Sequence, residues 1–213
     1  MITDHLKLCL VTHIEDTPFC LYEQFILQAI AGGVTSIQLR EKSKNKQEIS
    51  TIALRLKQLL NHSKIPLIVN DHIDIAKEVD ADGIHLGQSD YSPLDARKIL
   101  GNNKIIGWSI ESLAQLEIAN QLTCIDYVGA SAIFPSKSKS NCKTIWGLNG
   151  LRKISSLSKH PVVAIGGINQ NNIRNVIASG ASGAAVISAI HDHDDPEMAA
   201  RNLISNFGEK NYA

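Results

Sequence analysis

The sequence predicts an α/β protein, a single (β/α)8 TIM barrel across residues 1–213. Three observations point there. Eight short, β-rich runs recur, at Leu8–Thr12, Ser36–Arg40, Pro66–Asn70, Gly83–Leu86, Lys104–Ser109, Ile125–Ala130, Pro161–Gly166 and Ala184–Ser188. They start roughly 25 residues apart, close to one strand–helix unit of such a barrel. Runs such as Pro66-Leu67-Ile68-Val69 are apolar on both faces, as a parallel strand is when helices cover one side and a barrel interior the other. A doubly wound open sheet is the competing architecture. It usually places a glycine-rich loop after its first strand, and Val11-Thr12-His13 is no such loop.

Helical patterns fill the intervals. Leu21, Phe25, Ile26, Ala29 and Ile30 fall on one face, and Gly32-Gly33 supplies the stop. Ile49, Ile52, Ala53, Leu56, Leu59 and Leu60 follow the helical spacing cleanly. Ile173, Val176 and Ile177 repeat it, opened by a cap-like Asn169 and closed by Gly180. No linker or low-complexity stretch divides the chain.

Composition narrows the function classes. Lys plus Arg is 21 and Asp plus Glu is 21, a net charge of zero. That argues against nucleic-acid or membrane-surface partners, which need a basic excess. Aromatics at 5% argue against base-stacking platforms. No apolar run approaches the roughly 18–20 residues of a membrane helix, and Met1–Lys7 has no signal-peptide pattern. Cys9, Cys20, Cys124 and Cys142 show no CxxC spacing and read as reduced thiols of a cytoplasmic protein.

In this architecture chemistry sits at the C-terminal ends of the strands. Strand two ends in Gln38-Leu39-Arg40-Glu41-Lys42, and period two puts Gln38, Arg40 and Lys42 on one face. Such a row in a barrel mouth clamps a strongly anionic group. The plain alternative is an Arg40–Glu41 ion pair. Strands three and four lead into Asn70-Asp71 and His85-Leu86-Gly87-Gln88-Ser89-Asp90. Alone, Asp71 and Asp90 each read as helix caps. Beside the cationic row, the pair reads as a magnesium site completed by substrate phosphates. Ser109 ends strand five, as a phosphate donor or a helix cap. The loop Phe134–Asn141 alternates hydroxyls and lysines, which suits a cover over phosphates or a plain solvated loop. Gly166-Gly167 after strand seven, with Ile187-Ser188 after strand eight, reads as a phosphate cradle or a tight turn. Two anion sites then face each other across one mouth. His191-Asp192-His193 reads as a solvated helix entrance, His85 as packing beneath the Gln88–Asp90 turn, and Trp108 and Trp146 as packing residues.

The motifs Gln38–Lys42, Asn70–Ala76, Asp82–Asp90, Pro135–Lys139, Ala164–Ile168 and Val186–Ile190 resemble, in order and spacing, those of the thiamine phosphate synthase family. The resemblance runs over nearly the whole chain. It implies transfer of 4-amino-2-methyl-5-hydroxymethylpyrimidine from its pyrophosphate to a thiazole phosphate, in carboxylated form in some bacteria, giving thiamine phosphate and pyrophosphate. The resemblance implies too that the pyrimidine pyrophosphate ionises first and that the thiazole nitrogen captures the cation. Carried over by position, Gln38, Arg40, Lys42, Asn70, Ser109 and Lys139 bind the pyrimidine pyrophosphate. Asp71 and Asp90 hold Mg²⁺. Ser136, Ser138, Gly167, Ile187 and Ser188 hold the thiazole phosphate. Arg40, Lys139 and Ser109 are the implied catalytic groups, stabilising charge on the leaving pyrophosphate. The partners implied are small phosphorylated molecules, and a homo-oligomer is compatible with the sequence.

The chain departs from the pattern at Gly129-Ala130-Ser131-Ala132, which lacks a usual Gly-Pro, and at Glu111, where a histidine is frequent. His72 stands in place of a common arginine, and serines replace threonines in the lysine loop. Two other readings share the fold: a thiazole tautomerase, which needs a general acid/base rather than paired aspartates, and a non-catalytic sensor of a phosphorylated ligand.

Overall fold

The computed structural model describes residues 2–136 and 144–208. Eight parallel strands close into a barrel in chain order. They are β1 (Leu8–Val11), β2 (Ser36–Leu39), β3 (Leu67–Asn70), β4 (Gly83–Leu86), β5 (Ile105–Ile110), β6 (Tyr127–Ser131), β7 (Val162–Ile165) and β8 (Gly183–Val186). Each coincides with one predicted run, its ends within two residues of the expected ones. The barrel shuts where β1 pairs with β8, Cys9 against Ala185.

The helices are α1 (Ile2–Leu6), α2 (Phe19–Ala31), α3 (Lys46–Leu60), α4 (Ile73–Glu78), α5 (Pro93–Leu100), α6 (Leu113–Ala119), α7 (Gly147–Leu157), α8 (Ile173–Ala178), α9 (Ser188–His191) and α10 (Pro196–Ile204). Their starts follow local chemistry. Asn45 and Glu48 cap α3 reciprocally, and Ser92 caps α5 with Pro93 in its first turn. Asp195 caps α10, again followed by proline.

Two helix details differ from the sequence expectation. On α2 the buried stripe is Tyr22, Ile26 and Ala29, while Leu21 points to solvent. Tyr22 takes the inward position because its hydroxyl has a half-buried hydrogen-bond partner on α9. Helix α8 begins after Asn172, not Asn169. The Asn172 side chain instead accepts from the Asn169 N–H and ties off the preceding turn.

The apolar residues fall into two layers. A large outer layer joins the strands to the helices and contains the α3 stripe Ile49, Ile52, Ala53, Leu56 and Leu60. A small inner cluster holds Leu6, Cys9, Val11, Tyr127, Val163 and Ala185. Leu6 of α1 plugs the N-terminal end of the barrel. Burying it completely stabilises by roughly 2 kcal/mol. The interior is partly polar, with Ser36, Gln38 and His85 buried beside this cluster. Gly107 makes room for the Tyr127 ring, whose Cζ lies 2.1 Å from where a Cβ would stand. The inner cluster closes the lower end and leaves the C-terminal end open as a mouth.

Candidate active site

Two adjoining cavities open at the C-terminal ends of the strands. The larger, about 520 Å³, is lined chiefly by residues after β2 to β5, including Gln38, Arg40, Lys42, Asn70, Asp71, Asp90 and Ser109. The smaller, about 50 Å³, is lined by Ser136, Gly166, Gly167, Ile187 and Ser188 among others. Arg40, Ser131 and Ile165 line both and form the shared wall. The structure thus brings together Gln38, Arg40, Lys42, Asn70, Ser109, Asp71 and Asp90 in one hollow, and Ser136, Gly167, Ile187 and Ser188 in the other. Lys139 and Ser138 lie outside the described residues, as does Cys142.

The cationic row is built as the strand pleat dictates. Gln38 points into the barrel and is buried. Thr12, wholly buried after β1, accepts from the Arg40 N–H at 3.0 Å and fixes the backbone from which Arg40 projects. Glu41 turns to the other side and accepts from the Ile14 N–H at 3.2 Å, so its carboxylate braces the first loop. The ion pair in the row is made by Lys42, whose ammonium sits 2.5 Å from Asp71 Oδ2.

Asp71 occupies the left-handed region with φ of +67°, which turns the chain sharply as β3 ends. Asp90 closes its own loop by accepting from the Gly87 N–H at 2.7 Å. The two carboxyls lie close enough to influence one another's ionisation. Burial raises the Asp71 carboxyl, but Lys42, with Asp90 beside it, outweighs this and holds it below the ordinary carboxylate value. Burial and the neighbouring Asp71 push Asp90 up, although the Gly87 N–H opposes this. Two carboxylates forced together are costly without a cation. Hard oxygen donors in a partly buried pair suit a divalent ion of the magnesium type, with water and phosphate oxygens filling the remaining positions. Among the described residues no group of three or more His, Cys, Asp or Glu side chains assembles a metal site.

His85 corrects one expectation. It does not pack beneath the Gln88–Asp90 turn but points into the barrel. Its Nδ1 lies 2.9 Å from Tyr127 Oη and its Nε2 2.8 Å from Ser109 Oγ. Period two from Gly83 puts His85 on the inward face, a signal present in the sequence. Ser109 is thereby held from below. Gln88 donates to the Ser109 carbonyl at 2.6 Å and links the β4 and β5 loops. Gln88, Ser89, Glu111 and Ser131 also line the larger cavity; the sequence marks Glu111 and Ser131 as departures from the family pattern but assigns none of the four to the site. The two tryptophans do pack: Trp108 is buried, and Trp146 donates to the Ser131 carbonyl at 3.2 Å.

In the smaller cavity, Gly166 and Gly167 both adopt positive φ, +104° and +64°. Their carbonyls are committed, Gly166 to the Phe134 N–H and Gly167 to the Asn172 side chain. The chain after β6 lies so close that a Cβ on Gly167 would stand 2.6 Å from the Pro135 carbonyl oxygen. Glycine is therefore required here by both backbone conformation and space. His191 is not a solvated residue at a helix entrance; it is half-buried against Tyr22 and Phe25.

The profile of the thiamine monophosphate synthase family matches residues 8–190. The thiamine-phosphate synthase of Chlamydia caviae is 41% identical over 203 residues, 95% of each chain. That of Vibrio campbellii is 42% identical over 198 residues, 93% of this chain and 96% of the relative. The solved thiamine phosphate pyrophosphorylase of Pyrococcus furiosus superposes with a TM-score of 0.85 at 37% identity, over 97% of both chains. A 3-hexulose-6-phosphate synthase, at 17% identity and a TM-score of 0.72, shares the fold alone. Neither the tautomerase nor the sensor alternative finds support in these comparisons. With this coverage and identity, the chain belongs to the thiamine monophosphate synthase family.

Proposed function

We propose that this chain is a transferase of thiamine biosynthesis. It couples 4-amino-2-methyl-5-hydroxymethylpyrimidine pyrophosphate to a thiazole phosphate, releasing pyrophosphate. One observation carries the assignment of the site: a carboxylate pair and a cationic row in one cavity share a wall with a glycine-lined second cavity. Two phosphorylated substrates then meet across Arg40.

Asp71 and Asp90 would hold Mg²⁺, which would supply positive charge to a leaving pyrophosphate. Arg40 and Lys42 sit where they reach the same anion, and Arg40 supplies a planar fork of donors. Ser109, held by His85, and Asn70 orient the pyrophosphate and pyrimidine, with Gln38 beneath them. Lys139 and Ser138, outside the described residues, are assigned to the pyrophosphate and the thiazole phosphate by the family resemblance alone. The electron-rich pyrimidine carries the developing positive charge, so no side-chain nucleophile is required. The protein's work is alignment of the thiazole nitrogen with that carbon and exclusion of water. Ser136, the Gly167 backbone, Ile187 and Ser188 seat the thiazole phosphate. A cytoplasmic location fits this reading. Cys9, Cys20 and Cys124 are free thiols, and no helix among the described residues is long and apolar enough to cross a membrane.

The test is pyrophosphate release from the purified chain with each substrate omitted in turn. Release is expected only with both substrates and Mg²⁺, and to stop on adding EDTA. Release independent of the thiazole would refute coupling.

Gly167→Ala probes the second cavity separately. The new methyl meets the Pro135 carbonyl and Phe134 Cβ, at 2.6 and 2.8 Å, so the loop must shift. KM for the thiazole phosphate is expected to rise at least about tenfold, with KM for the pyrimidine pyrophosphate within about twofold. Equal rises in both, measured by steady-state kinetics, would contradict the separation of the two sites.

A further inference from the structure

Tyr22 on α2 and His191 on α9 form a hydrogen-bond chain that the reaction itself does not use. Backbone groups at its two ends fix its direction. The His13 N–H, which can only donate, lies 3.1 Å from Tyr22 Oη. The Ile187 carbonyl, which can only accept, lies 3.0 Å from His191 Nδ1. Nδ1 therefore carries the proton and Nε2 is the bare acceptor. The Tyr22 O–H donates to Nε2 across 2.9 Å. Burial lowers the His191 pKa, outweighing the raising effect of the Ile187 carbonyl, which keeps the ring neutral. Phe25 packs on the imidazole at 4.6 Å between ring centroids, and Tyr22 stacks on it at 5.9 Å.

The Ile187 carbonyl is the centre of this arrangement. It also accepts from the backbone N–H groups of Ile190 and His191, both at 3.1 Å. In a trans peptide unit the C=O and the following N–H point in opposite directions. Holding the Ile187 carbonyl toward His191 therefore turns the Ser188 N–H away from it, and Gly167, Ile187 and Ser188 together line the smaller cavity. We propose that His191, locked in its Nδ1–H form by Tyr22, is a positioning residue that sets this peptide for the monophosphate of the thiazole substrate. The role rests on the phosphate reading of the smaller cavity given above. It makes the contact between α2 and the end of β8 a determinant of affinity for one substrate and not the other.

Steady-state kinetics on the full chain test it with three variants. His191→Phe keeps an aromatic ring against Phe25 but removes the donor. Tyr22→Phe removes only the hydroxyl, and it stays informative if His191→Phe fails to fold. His191→Asn returns an N–H near the position of Nδ1. KM for the thiazole phosphate is expected to rise about tenfold in His191→Phe and about threefold in Tyr22→Phe. KM for the pyrimidine pyrophosphate and kcat stay within about twofold, and His191→Asn regains most of the loss. Unchanged KM in the first two variants, or parallel losses for both substrates, overturns the proposal. Calorimetric titration of the wild type with thiazole phosphate keeps the two readings apart. No binding there overturns the cradle and the positioning role together. Normal wild-type binding with unaltered variants overturns the positioning role alone.

Discussion

Asp71→Asn is expected to lower the coupling rate at saturating Mg²⁺ by about a thousandfold or more, with thiazole phosphate affinity within about twofold of wild type. The substitution is chosen for its backbone. Asp71 sits at φ +67°, and Asn tolerates that region nearly as well as Asp, so the turn after β3 survives. The variant removes a charge that Lys42 helps to stabilise, and with it the neighbour that pushes the Asp90 carboxyl up, so the two effects oppose each other. Lys42 loses its partner, but its side chain is 61% exposed and water replaces the contact at little cost. Thermal stability is therefore expected to change little while turnover collapses. A carboxylate whose neutralisation costs turnover far more than stability is one kept for chemistry rather than for folding. Retained turnover at saturating Mg²⁺ would remove Asp71 from the metal site. Calorimetric titration of the variant with thiazole phosphate alone reads the second half of the expectation.

Gly183→Ala is expected to be the most damaging single methyl addition in the fold. A Cβ at Gly183 would stand 1.7 Å from the Leu6 carbonyl oxygen and 2.6 Å from its carbonyl carbon. Both are backbone atoms, so no rotamer change relieves the overlap. The neighbouring Ala184 N–H is bonded to the Lys7 carbonyl at 3.0 Å, which holds the two segments together. Either the plug at the base of the barrel lifts or β8 shifts against β1. Overpacking of this kind costs about 3 kcal/mol or more. For a chain of this size that lowers Tm by about 6–12 °C. Scanning calorimetry checks it, and a shift under about 2 °C would mean that α1 is not held in place as described.

The strands were legible because a parallel strand in a barrel is apolar on both faces and its length is short. Pro66–Val69 shows both properties without reference to any neighbour. The row Gln38, Arg40 and Lys42 was legible for a similar reason, since the pleat alone puts alternate residues on one side. Asp71 and Asp90 became legible as a pair only once adjacent strands were assumed. What the sequence hid is non-local. Tyr22 and His191 are 169 residues apart, and no spacing rule links them. Without that partner Tyr22 looks less suited to burial than Leu21, so Leu21 takes its place in the stripe read from the sequence, while Phe25, Ile26, Ala29 and Ile30 do pack on the core. Asn169 and Asn172 both suit a cap, and which one starts α8 depends on the turn that Gly167 forces on the chain. Lys42 offered a free cation in the sequence, yet in the fold it lies against Asp71.

Arg40, Ser131 and Ile165 form a party wall between two hollows. A finished molecule joined across that wall occupies ground that each reactant held separately. On the proposed reading of the two hollows, it would stand in the way of either reactant, so the product would compete with both substrates at once rather than with one.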